Sequence, residues 1–373
     1  MREAEAMALL LASGLSYGRR EAALCEAGSA LGVIEEPEAY EKCMGEKGFA
    51  QLRGALRERN EHLDAVERSD MRLILRSDPG YPPLLQKIVH PPHLLYVWGR
   101  SDLSDACPMA MVGTRKASAY GLRHAREIAC GLASAGVCVV SGLALGIDAA
   151  SHEGALDGRG RTIAVLGGAL DRLYPEENRP LMERILAEGG SVVSEYPPGT
   201  KAARYSFLQR NRIIAGMTLG TIVVEGPKHS GAFSTAQSAL EEGREVFALP
   251  GSVEQIGSQL PHLLIAEGAH LITCARDILD ELVIEPAKPL EASGEEAPMA
   301  EAAVLRVPEG LSGVRKTICE RLLTGEADFD ELCVLTGEDS DDLGALLIEM
   351  EMDELVEAQA GCAVAPGAAM RRP

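Results

Sequence analysis

The chain has 373 residues, 46% of them apolar and 25% charged, an ordinary globular composition for one large core with one or two smaller modules. No apolar run approaches the ~18 residues needed to cross a bilayer, and Glu3 and Glu5 beside Arg2 are unlike the basic start of a secretory signal, so the chain is expected to be soluble, cytoplasmic and off the membrane. A net charge of -20 argues at first sight against nucleic acid, but residues 281–373 hold 7 basic and 21 acidic side chains whereas residues 101–280 hold 16 and 20.

A nearly balanced middle can still present a local basic patch, because phosphate contacts act within about one Debye length, ~8 Å at physiological salt. The nine cysteines include no CxxC pair, so reduced, mostly packed thiols are expected rather than a zinc site or a disulfide framework.

Residues 1–66 read as short helices, with Leu9, Leu10, Leu24, Leu31, Leu52 and Leu56 recurring among charged neighbours. They predict a small helical module for packing or interaction. From residue 71 the period changes. Strands are predicted at 71–75, 109–113, 137–141, 162–166, 191–195, 221–225 and 245–249, with helices at 119–135, 147–157, 177–189, 207–217 and 231–243. Strands and helices alternating at this length imply right-handed βαβ units. The fold class is therefore α/β, a doubly wound, mostly parallel sheet over 71–283. Residues 284–312, rich in Pro, Ala and Glu, read as a linker. Residues 313–367 predict helices near 313–324, 328–336 and 340–352 followed by a hairpin, a winged-helix-like module. The stretch 326–357 contains no Lys or Arg, so this module is expected to repel DNA and to face a protein.

In an open parallel sheet, ligands bind beyond the carboxyl ends of the strands. Those ends carry GTRKAS (113–118), SGLALGID (141–148), GGALDRLYPEEN (167–178) and EGPKHSGAFSTA (225–236). Small residues such as Gly113, Ser118, Ser141, Gly142, Ser230 and Gly231 let the backbone approach a ligand, and the helix starts that follow offer free N–H groups to an anion. Any single Gly-rich turn is as often a plain βα connection. Arg115 is well placed for a phosphate, or is a solvated charge; Arg179 stands at a further helix start. Asp148 and His152, at i and i+4, suggest either acid–base chemistry or a structural role in the 141–148 loop. Glu225 is placed with them as a loop-holding residue.

The most informative stretch is ARYSFLQRNRIIAGM (203–217). Arg204, Arg210 and Arg212 put three guanidinium groups within nine residues, interleaved with Tyr205 and Phe207. Cations that track a backbone and aromatic faces on which bases stack are what single-strand binding requires. The plainer reading is a charged helix face with Phe207 and Ile213 in the core. There is no GxxxxGK[ST], no GxGxxG after a strand, no GxSxG and no HExxH, so nucleotide-hydrolysing, dinucleotide, hydrolase and metalloprotease readings lack their motifs.

From residue 81 to residue 272 the chain carries YPPLL, PPHLLYVWG, MVGTRKAS-YG, VVSGLALGID-ASH-GAL, TIAVLGGALDRLYPEEN, SEYPPGT, F-QRNRIIAG, VVEGPKHSGA-STA, VFALPGS and LLIAEGAHLI in order. This set resembles the DprA/Smf DNA-processing proteins. The resemblance implies an extended Rossmann-like fold that binds single-stranded DNA without catalysis or cofactor. It also implies a homodimer that protects incoming DNA and helps load the RecA recombinase in natural transformation. It puts a phosphate pocket at Gly113, Thr114, Arg115 and Ser118, the family's RNR motif at Arg210, Asn211 and Arg212, and base contacts at Arg204 and Phe207. Leu208 stands where the family often has Pro, and His262 where Asn is usual. The rival reading is a phosphoribohydrolase-like enzyme on a related fold, although its PGGxGTxxE signature is missing.

Overall fold

The computed structural model describes residues 1–105, 107–282 and, with gaps, 306–366. The chain divides into two compact units, Met1–Leu290 and Glu291–Pro373.

In the first unit, helices α1 (Glu3–Ala12), α2 (Tyr17–Ala27), α3 (Ala30–Glu35), α4 (Glu41–Arg57) and α5 (Arg59–Arg68) precede the strands β1 (Arg72–Leu75) and β2 (Leu94–Gly99). Alternating units follow: β3 (Pro108–Val112), α6 (Ala119–Ser134), β4 (Cys138–Ser141), α7 (Ile147–Asp157), β5 (Thr162–Val165), α8 (Arg179–Ala187) and β6 (Ser191–Ser194). The chain then runs through α9 (Arg204–Gly216), β7 (Gly220–Val223), α10 (Gly231–Glu241), β8 (Glu245–Ala248), α11 (Gln259–Ala266), β9 (His270–Leu271) and α12 (Ala275–Glu281).

The nine strands form one sheet in the order β1-β2-β6-β5-β4-β3-β7-β8-β9. Pairing is parallel except at β1–β2 and β2–β6. Every residue of β3, β4, β5, β6 and β7 is buried, as expected of strands covered on both faces. Side chains alternate between two layers. Val140, Ile163, Val165 and Val193 face Ile213, Ile214, Ala236 and Leu260 of α9, α10 and α11. On the other face Met109, Met111 and Val139 meet α6, α7 and α12. That second layer is extended by the N-terminal helices: Leu9, Leu10, Met44 and Leu52 share one core with Leu94, Tyr96, Ala164 and Val192.

The chain leaves β3 toward β4, then returns to place β7 on the other side of β3, which makes the β3/β7 boundary a topological switch point. The last paired residues there are Val112 and Val223. Gly113, Glu195 and Glu225, expected as strand ends, therefore lie just beyond the ladder, in the connections. Helix α9 begins at Arg204 rather than at the expected 207, because Ser206 accepts a hydrogen bond from Ala203 N at 2.9 Å and caps an extra turn. Strands β2 and β9 and helices α11 and α12 add to the expected elements.

The second unit contains α13 (Gly313–Leu322), β10 (Ala327–Asp328), α14 (Phe329–Thr336), β11 (Val356–Ala358) and β12 (Ala363–Pro366). Its antiparallel sheet has the order β10-β12-β11. Ile318, Leu322, Leu332, Leu343 and Met350 form its core. Most of the expected linker and much of the helix expected at 340–352 lie outside the described residues.

Candidate functional site

At the switch point, the connections after β3 and β7 and the first turns of α9 and α10 enclose an open cleft of about 850 Å³. Gly113, Thr114, Arg115 and Lys116 form one wall, Ser230 and Gly231 at the start of α10 a second, and Arg204, Phe207, Leu208 and Asn211 the third. The spacing 204, 207, 211, 214 is one face of a helix, so α9 turns a continuous stripe to the cleft.

Arg115, Lys116 and Arg204 are exposed, and among the described residues no carboxylate pairs with any of them. Elsewhere on this unit Arg126, Arg161, Arg179, Arg184 and Arg212 each hold a carboxylate. The guanidinium of Arg115 lies over the Phe207 ring, 5.0 Å from its centroid.

The floor is a buried polar scaffold. Arg210 is 4% exposed, and its Nη1 donates to Gly142 O at 2.9 Å and to Val165 O. A side chain at position 142 would collide with that guanidinium, which is why the loop carries glycine there. Burial, and then the charge of Arg115, pushes the Arg210 pKa down to about 10, so it stays a cation at neutral pH and Asp148 supports it electrostatically. Asp148 in turn accepts from Gly142 N at 3.2 Å and Ala144 N at 3.4 Å, holding the 141–146 loop. Burial raises its pKa. His152 does not bond to Asp148. Its Nδ1 meets Thr162 Oγ1 at 2.7 Å beneath the sheet, so the i, i+4 spacing marks two separate supports rather than an acid–base pair.

Five expected contact residues, Ser118, Ser141, Gly142, Arg179 and Arg212, do not line the cleft. Ser118 caps α6 and donates its hydroxyl to Glu225, which also accepts from Ser118 N at 2.9 Å. Ser141 donates to Met111 O at 2.6 Å, and Arg179 is paired with Glu176. Arg212 lies about 200° around the helix from Arg210 and points away. It donates to His90 O at 2.7 Å and pairs with Glu195. His90 touches Tyr17 of α2 edge-on at 5.0 Å, so Arg212 reaches the N-terminal helices through one intermediate ring. Asn211 donates to Ser234 Oγ at 2.7 Å and to Gly231 O, holding the first turn of α10 against α9. His262 meets Gly251 O at 3.0 Å and holds the turn after β8, while Leu208 is an exposed lip of the cleft.

Lys116, Tyr174 and His229 also line the cleft and were not among the expected contacts. Lys116 adjoins Arg115, and Tyr174 and His229 lie in the strand-end loops already singled out, so the loops themselves were the signal. No group of three or more His, Cys, Asp or Glu side chains is placed to hold a metal ion among the described residues.

Residues 72–283, more than half of the chain, match the family of the DNA recombination-mediator protein A. The chain belongs to that family. It is 42% identical over 217 residues to Protein Smf of Escherichia coli (strain K12), a match that spans 58% of each chain. The X-ray structure of DNA processing protein A (DprA) from Streptococcus pneumoniae superposes with a TM-score of 0.65 at 34% identity, covering 75% of this chain and 98% of that one. DNA processing protein A from Helicobacter pylori, solved for its single-stranded DNA binding mode, superposes at 0.53 with 28% identity, covering 59% and 99%. The doubly wound sheet and the cleft at its switch point thus lie in the segment shared with DprA/Smf proteins.

Proposed function

We propose that this chain binds single-stranded DNA in the cleft at the β3/β7 switch point and does so without a catalytic step. The observation that carries the reading is the set of exposed cations Arg115, Lys116 and Arg204 around the Phe207 ring, none of them paired with a carboxylate among the described residues. Cations for phosphates beside an aromatic ring for bases are the equipment of single-strand binding, and the Helicobacter pylori relative lends the same ligand. Gly113, Thr114, Ser230 and Gly231 supply backbone beside the phosphates. A hydrolase reading draws no support from Glu225, whose carboxylate is engaged by Ser118 rather than facing the cleft.

In the cell this activity would protect incoming DNA and help load a RecA recombinase in the cytoplasm, with the protein acting as a homodimer. Residues 1–66, 71–283 and 313–367 serve as helical, DNA-binding and winged-helix-like modules, with 284–312 as linker. The acidic C-terminal module faces a protein rather than DNA.

The test is a gel shift with single-stranded and duplex oligonucleotides, beside an assay for nucleoside monophosphate hydrolysis. Single strands are expected to bind more tightly than duplex, with no hydrolysis. Equal binding to blunt duplex, or hydrolysis abolished by cleft substitutions, would overturn the reading. Arg115→Ala is expected to cost about 1.5–3 kcal/mol of affinity, the worth of a charge-assisted bond, with an unchanged melting temperature because the side chain is exposed.

Salt titration separates the arginines of α9 and its surroundings. Each lost phosphate contact lowers the slope of log K against log salt by ~0.7 for single strands. Arg115→Ala and Arg204→Ala are expected to show that fall. Arg212→Gln is expected to keep the wild-type slope, since its guanidinium is spent on Glu195 and His90. A reduced slope for Arg212→Gln would place it on the DNA after all.

A further inference from the structure

Of the two aromatic side chains that the sequence offers for stacking, Tyr205 is exposed but does not line the cleft, and the Phe207 ring is largely spoken for. Arg115 covers it at 5.0 Å and Arg210 approaches at 6.0 Å. Gly167 backs onto its edge so closely that a side chain there would strike the ring. What remains open is the neighbour. The Tyr174 ring lies 5.8 Å from Phe207 at 51°, lines the cleft, and is 55% exposed.

The loop that presents Tyr174 is held on both sides. Leu170 and Leu173 are buried in the core shared with the N-terminal helices. Asp171 accepts from Gly199 N at 2.9 and 3.1 Å. Asn178 donates to Leu143 O at 2.9 Å, fastening the end of the loop to the one that Asp148 holds. A ring fixed in place but left half in water is a pre-organised platform, because ordering it costs little when a ligand arrives. Exposed Leu208 continues the apolar surface, and Arg115, Lys116 and Arg204 surround it with positive charge.

We propose that Tyr174 provides the open stacking face for an unpaired base of the bound strand, while Phe207, clamped by Arg115, fixes the tilt of that face. This rests on the single-strand reading above and deepens it: the cleft separates a phosphate side from a base side. Every base has a π-face, so the contact tolerates any sequence.

The experiment compares a labelled oligothymidylate with an abasic oligomer of the same length, which keeps the phosphates and lacks the bases, on the full chain. Tyr174→Ala is expected to weaken oligothymidylate binding about tenfold and to leave abasic binding and the salt slope unchanged. Tyr174→Phe and Tyr174→Trp are expected to bind as the wild type does. The chain has one tryptophan, Trp98, held by Ser69 O at 2.6 Å on β2, so the added indole of Tyr174→Trp should supply a new emission quenched by oligothymidylate but not by the abasic strand. Wild-type affinity in Tyr174→Ala, an equal loss on both oligomers, or an indole that oligothymidylate does not quench would each overturn the proposal. A wild-type chain that binds neither oligomer would instead overturn the single-strand reading itself.

Discussion

Arg210→Met is expected to lower stability by ~3–5 kcal/mol, the range for breaking a buried charged network from one side. Methionine fills most of the space with a flexible apolar chain, so the loss comes from chemistry rather than from a cavity. Gly142 O and Val165 O lose a donor at the ends of β4 and β5. Asp148 loses the buried cation that offsets its charge. For a unit of this size each kcal/mol moves the midpoint by ~2–4 °C, so thermal unfolding followed by circular dichroism should shift by roughly 10 °C. A midpoint within a degree or two of wild type would show that the guanidinium is not structural. Arg115→Ala is expected to do the reverse, weakening strand binding and leaving the midpoint where it is.

Acid should destabilise the protein from about pH 6.5 downward, with His152 as a principal contributor. Thr162 Oγ1 gives its own proton to Val139 O, so the bond from His152 must be donated by Nδ1–H. Nε2 is then a bare acceptor without a partner among the described residues, and the ring is fully buried. Burial, reinforced by the charge of Arg210, pushes its pKa down to about 3. In the unfolded chain the imidazole titrates near 6.5. Between those values the unfolded state holds a proton that the folded state refuses. Stability is therefore full above pH 6.5 and falls by up to ~1.4 kcal/mol per unit as pH drops toward 3. Urea midpoints at pH 8, 6 and 5 should fall steeply in wild type. His152→Asn keeps a donor near the Nδ1 position and should be weaker at pH 8 yet show a shallower decline. Parallel pH profiles for the two proteins would remove His152 from the acid response.

The doubly wound core was legible because its strands are uninterrupted apolar runs and its helices fill the spaces between them. Strand β2 escaped the reading because LLYVWG follows Pro91 and Pro92 and is not followed by a helix, so no βαβ rhythm marks it. The two-residue β9 carries no period at all. At the cleft, the glycine-rich connections after β3 and β7 pointed to the rim where the cleft opens, since backbone approach depends on residue type. Side-chain direction was harder. Arg210 and Arg212 look equivalent in a string, and only the helical phase of α9 sends one under the cleft and the other toward His90. Tyr174 lies within the glycine-rich 167–178 loop, but exposure of a single ring depends on anchors at Asp171 and Asn178 whose partners are distant in sequence.

The joint core of the N-terminal helices and the sheet has a consequence for how the chain is made. Leu9, Leu10 and Leu52 are synthesised well before two of the strands they lie against, β5 and β6, which arrive only at residues 162–165 and 191–194. Until then β2 also lacks its antiparallel neighbour β6. The emerging polypeptide must therefore carry a greasy, half-finished surface for more than a hundred residues of synthesis, the circumstance in which aggregation competes with folding. At ~5–20 residues per second that wait lasts roughly ten seconds, and a chaperone that shields the leading helices during it would raise the yield of native protein more than one acting after release.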